Sequence, residues 1–106
     1  MGQLAYGIDG HCYEVDDTTL RHLRAAVIAK LRRKEPFPLT LRSPGTGAAA
    51  ETLWVQPSIP LRFVFETEES GQLDREWLEK LVAAANSAGG MHVELEPAQP
   101  SLALAG

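Results

Sequence analysis

Apolar positions recur with a period of two near both ends of the chain and through its middle, and with a period near 3.6 in two longer stretches between. Residues 3–7 and 11–15 alternate around Ile8-Asp9-Gly10, where Asp-Gly supplies what a tight turn needs, so the chain is predicted to open on a hairpin. Residues 37–42, 52–56, 61–66 and 91–95 alternate in the same way and predict four further strands, with Pro38 placing the start of the first at an edge or a bulge. Pro57-Ser58-Ile59-Pro60 turns the second of these into the third, and the three middle strands are expected to pair as an antiparallel meander. Residues 43–50 and 67–72 read as loops, the second of them acidic.

The two 3.6-period stretches predict helices. The first starts where Asp16 or Asp17 can accept a hydrogen bond from a free backbone N–H, and ends near Lys34, because Pro36 disfavours helical geometry at Glu35 and cannot donate. Leu20, Leu23, Val27, Ile28 and Leu31 fall in one arc that can face a core, and Arg21, Lys30, Arg32 and Arg33 lie opposite. Arg24 falls inside the apolar arc, so its stem is expected to be buried and its guanidinium to meet a carboxylate or a carbonyl. The second helix is capped by Asp74, with Leu73 and Leu78 placed for a hydrophobic staple and Glu76 and Lys80 for an i,i+4 pair. Trp77, Leu78, Leu81, Val82 and Ala85 form its apolar stripe, and Gly89-Gly90 ends it. The resulting order is ββαβββαβ, an α+β fold with a mostly antiparallel sheet and two helices packed on one face.

With 106 residues, 44% of them hydrophobic, the chain has material for one domain, assigned to residues 1–96, with 97–106 as a flexible C-terminal tail. No stretch of eighteen apolar residues predicts a membrane helix, and the first residues lack the basic and apolar segments of a secretory signal, so a cytoplasmic protein is expected. A single Cys12 permits no internal disulfide and reads as a small strand residue. The net charge of −4 is unevenly placed. The first helix holds six of the ten basic residues, whereas from Glu66 onward eight acidic residues face only Arg75 and Lys80. Such polarity can be neutralised within the fold, steer a partner or pair two copies.

Little else in the chain carries chemistry. Gly45-Thr46-Gly47-Ala48-Ala49-Ala50 matches a dinucleotide fingerprint formally, but it leads into a strand, where no helix N-terminus would meet a pyrophosphate. His11, His22 and His92 share no ligand spacing and are expected at the surface or on edge strands. Ser43, Ser58, Ser70 and Ser87 sit in no nucleophile-elbow pattern. Trp54, Phe63 and Phe65 would suit a base-stacking sheet, but burial in the core is the expected fate of these aromatics, and of Trp77. No catalytic, cofactor-binding or metal-binding residue is assigned. Arg21, Lys30, Arg32, Arg33 and Lys34 are the candidate contacts to phosphate or to a partner.

Several segments in order carry a family resemblance: Met1 to Gly7, Ala29-Lys30-Leu31-Arg32-Arg33, Trp54 to Leu61, Arg75-Glu76-Trp77 and Ala85 to Gly90. Over residues 1 to about 97 the chain resembles a small uncharacterised actinobacterial domain whose members often carry the automatic label "ATP-dependent DNA ligase". Such ligases attach AMP to the lysine of K-x-D-G. The nearest match here is Gly7-Ile8-Asp9-Gly10, which has no amine to form that intermediate. The resemblance therefore implies a bacterial cytoplasmic protein and carries over no catalytic residue. Two functions are weighed on this basis. The first is a non-catalytic interaction or assembly domain whose partner is another protein or itself, as a homodimer. The alternative is a DNA- or RNA-binding accessory of DNA metabolism that uses the basic helix. Net acidity and the lack of a reading motif favour the first, with nucleic acid secondary and no membrane partner.

Overall fold

The computed structural model describes residues 1–42, 50–66 and 72–95. Its elements are β1 (Gly2–Tyr6), β2 (His11–Val15), α1 (Asp17–Arg32), β3 (Phe37–Arg42), β4 (Ala50–Val55), β5 (Leu61–Val64), α2 (Arg75–Ala85) and β6 (Met91–Glu94). This is the ββαβββαβ order expected of an α+β fold. The tail at 97–106, most of both expected loops and the glycine-rich match before Ala50 lie outside the described residues.

The strands differ from expectation in how they associate. They form two three-stranded sheets, β2-β1-β5 and β4-β3-β6, so β5 does not continue a meander from β4. The turn at Pro57–Pro60 explains the departure, since its last carbonyl accepts from the Gly7 N–H at 3.0 Å and so delivers β5 to β1. There Leu4 faces Phe63 and Tyr6 faces Leu61, which puts the apolar alternation of both strands on one side. The other sheet is antiparallel between β3 and β4 and parallel between β3 and β6. Its inward residues include Phe37, Leu39, Leu41, Leu53, Val55, Met91 and Val93, all buried in the common core. Burying each such side chain contributes roughly 1.5–3 kcal/mol.

Two tyrosines tie the sheets together. The Tyr6 hydroxyl donates to the Trp54 carbonyl at 2.7 Å, and the Tyr13 hydroxyl donates to Glu51 Oε2 at 2.8 Å. Partial burial, then the bond to Glu51 and its charge, push the Tyr13 hydroxyl above its ordinary titration range, which keeps it a donor. Trp54 itself, expected in the core, is 49% exposed. Register decides this: Leu53 and Val55 point inward, which turns Trp54 and its cross-strand partner Pro38 to the outer face.

The helices begin as their sequences direct. Asp16 and Asp74 each accept two first-turn backbone N–H bonds, from Thr18 and Thr19 and from Glu76 and Trp77. Leu73, expected to staple against Leu78, is instead exposed. Two polar links then set the helices side by side. Near the start, His22 Nε2 accepts from the Asp74 N–H at 2.7 Å, while His22 Nδ1 lies 2.8 Å from the Thr18 carbonyl. That pair of partners fixes the imidazole as the neutral Nδ1–H tautomer, and its ring stacks on Trp77 at 4.2 Å. Near the end, the Lys30 ammonium donates to Glu35 Oε1 at 2.8 Å and to the side-chain oxygen of Asn86, which caps α2. Since the start of α1 meets the start of α2, and end meets end, the two helices run in the same direction. His22, expected at the surface, is therefore only 2% exposed.

Candidate functional site

The docking of α2 rotates the buried arc of α1. Leu20, Leu23, Val27, His22, Ala26 and Lys30 are buried, the last three filling the flank that α2 covers. On the opposite flank Ile28, expected in the core, is 46% exposed. Arg24 is exposed as well, and its guanidinium lies 4.6 Å from the centre of the Phe65 ring, where a carboxylate or a carbonyl was expected. Lys30 was expected on the solvated face and is only 5% exposed. At ~100° per residue, Arg21, Arg24, Ile28 and Arg32 fall within an arc of about 80°. Ala25 and Ala29 lie just beside them. Between Asp17 and Glu35 the chain carries no acidic residue.

The five expected contact residues thus separate. Arg32, Arg33 and Lys34 are exposed together at the end of α1, and no ion pair engages them among the described residues. Arg21 is half-buried and donates to the Thr18 hydroxyl one turn back, at 3.4 Å. Lys30 is committed to Glu35 and Asn86, so its charge is satisfied internally. Glu35 responds to that partner: the hydrogen bond from Lys30 holds its carboxyl below the usual range, partial desolvation opposes this, and the charges of Lys30 and Arg33 add to the lowering. Two residues outside the expected set belong with the exposed cations, namely Arg24 and Ile28. The signal for them lies in the second helix, whose apolar stripe needed a flank of α1 to pack on.

The end of α1 is built in an unusual way. Lys34 has φ +58° and is the one non-glycine residue with positive φ among those described. Its N–H bonds the Leu31 carbonyl at 2.9 Å and the Glu35 N–H bonds the Lys30 carbonyl at 3.1 Å, the two bonds of a Schellman motif. Glycine normally occupies that position, because a Cβ in the left-handed region costs roughly 1–2 kcal/mol. Here a cation stands in it.

Elsewhere the chemistry stays dispersed. His11 packs edge-on against Tyr13, His22 sits between the helices and His92 lies on the outer face of β6, so the three histidines occupy separate places. Among the described residues no three His, Cys, Asp or Glu side chains come together as a metal ligand set. The Gly7–Gly10 segment is a hairpin turn, with Gly7 and Gly10 at positive φ and the Gly10 N–H bonded to the Gly7 carbonyl. Phe63 and Phe65 face inward from one sheet while Trp54 faces outward from the other, so the three aromatics share no stacking platform. No described helix is long and apolar enough to cross a membrane.

Comparison with curated proteins and with solved structures finds no match. The model of a family described as a domain of unknown function, DUF7882, matches residues 1–96. With nearly the whole fold inside that match, the chain belongs to the DUF7882 family.

Proposed function

We propose that the chain is a non-catalytic interaction or assembly domain of a bacterial cytoplasmic protein, and that it meets an anionic protein surface through the exposed flank of α1. The partner is another protein or a second copy of the chain. One observation carries the reading: α1 shows solvent a run of cations without a single carboxylate past its first turn, while its other cation, Lys30, is paired inside the fold. Charge left over after a fold has satisfied its own pairs is available to steer a partner. The resemblance to actinobacterial domains labelled as ligases fits a non-catalytic role, because Gly7 stands where the adenylated lysine would be.

A nucleic-acid-binding accessory is the second reading, favoured by the adjacent exposed Arg32, Arg33 and Lys34. Light scattering behind a sizing column, at low and high salt and with or without a mixed single- and double-stranded oligonucleotide, separates the two. A complex that needs the oligonucleotide, dissolves in salt and is lost in Arg32→Ala/Arg33→Ala establishes the second reading. A mass that rises with protein concentration regardless of oligonucleotide, and falls in Arg24→Glu/Arg32→Glu, identifies a second copy as partner. A partner complex that forms unchanged in both double variants removes the α1 flank from the function.

A further inference from the structure

The exposed flank of α1 is more than a charged strip, and its apolar centre narrows the choice of partner. Ile28 stands 46% exposed, with the small side chains of Ala25 and Ala29 beside it. Arg24 and Arg32 flank Ile28 by four residues each, one helical turn, so roughly 12 Å separates them along the axis. Small residues let a second backbone approach closely, an apolar side chain at the centre gives it something to bury, and cations at either end fix its register. Arg24 is already held in place. Its guanidinium carbon lies over the Phe65 ring, 4.6 Å from its centre, a contact with a ring face that uses none of the N–H groups a carboxylate would accept from.

Resting on the interaction reading above, we propose that this flank docks an acidic amphipathic helix of a partner protein, one carrying an apolar residue with a carboxylate a turn to either side. Charge complementarity selects that occupant. A second copy of this chain does not supply it: the exposed charges of α2 are Arg75, Glu76, Glu79 and Lys80, which balance, and α1 has no carboxylate beyond its first turn. A phosphate backbone would satisfy the arginines but leave Ile28 in water, which is why nucleic acid is the weaker fit.

The test is a fluorescence-anisotropy titration with a capped, labelled, alanine-rich helical peptide carrying Glu, Leu and Glu at four-residue spacing. Companion peptides carry Gln or Lys in place of Glu. The wild-type chain binds the Glu peptide and not the Gln or Lys peptides, and binding weakens as salt rises. Ile28→Ala weakens it about tenfold. Arg24→Glu/Arg32→Glu loses the Glu peptide and gains the Lys peptide, a reversal that an unfolded variant cannot produce. Equal binding of the Glu peptide by wild type and the charge-reversed variant overturns the proposal. If an oligonucleotide displaces the peptide and binds Ile28→Ala as well as wild type, the acidic helix is overturned while the α1 flank stands. A wild-type chain that binds neither probe overturns the acidic helix, and the concentration dependence of its mass then decides separately whether the interaction reading stands.

Discussion

The two flanks of α1 carry the same kinds of residue and treat them in opposite ways. Toward α2, Lys30 is buried with two oxygen partners and His22 is buried between a carbonyl and an N–H. Away from α2, Arg24 and Ile28 are open to solvent, although the hydrophobic arc of the isolated helix would place both inside. A cation with a four-carbon stem and a terminal ammonium can be buried where a carboxylate and an amide oxygen wait for it. An isoleucine stays outside where, among the described residues, no element comes to cover it. What separates the flanks is therefore the neighbour, and hydrophobicity alone would rank them the other way.

Leu23→Ala against Ile28→Ala tests that contrast with the largest effect. Leu23 is fully buried, so truncation should cost about 3 kcal/mol, while Ile28→Ala should change stability by less than about 0.5 kcal/mol in urea unfolding. Comparable losses would mean that Ile28 is covered in solution. Next in size is Lys30→Ala, expected to cost about 2 kcal/mol by leaving Asn86 and Glu35 without their donor, against less than about 1 kcal/mol for Arg24→Ala, which loses the Phe65 contact. Thermal melts of the two variants side by side check the order, and a reversed order would mean that α2 does not cover the Lys30 flank in solution.

Lys34→Gly should act in the other direction and raise stability by about 1 kcal/mol, because glycine relieves the left-handed position. If the basic end of α1 serves a partner, the same change should weaken binding, so that stability and binding move oppositely. The smallest effect is in pH dependence. Glu35 has its carboxyl lowered by Lys30, so the stability it adds is complete above the ordinary carboxylate range and is lost as pH falls through the lowered value. Melting temperatures between about pH 6 and pH 3 should decline less steeply in Glu35→Gln than in wild type, and an identical slope would show that the Lys30 pair contributes nothing to acid sensitivity.

Element order and both N-caps were legible in the chain, because they depend on local signals: Asp16 and Asp74 as caps, Asp9-Gly10 at a turn, Pro36 beyond a helix; the ends were less so, since β4 already starts at Ala50, β5 stops at Val64 and α2 stops at Ala85, short of Gly89-Gly90. What the chain did not disclose lives in pairs of elements. Strand parity showed that Phe63 and Phe65 share a face, but Trp54 could be placed only by the register of β4 on β3. The departure of β5 to pair with β1 depends on a bond between residues far apart, Gly7 and Pro60. The candidate site was legible in part for the same reason. Arg32, Arg33 and Lys34 lie past the reach of α2 and stayed exposed, whereas Lys30 and Arg24 exchanged roles once α2 had chosen a flank.

Lys30 also bears on the chain while it is still being made. At roughly 5–20 residues per second, α1 emerges some seconds before α2, and during that interval the flank later covered by α2 faces water. That flank consists of His22, Ala26 and Lys30, with none of the large aliphatic side chains that invite self-adhesion. A lysine is at home in both settings, hydrated on the nascent helix and later capped by Glu35 and Asn86. The buried cation so lets an unfinished molecule wait in water and a finished one close around it.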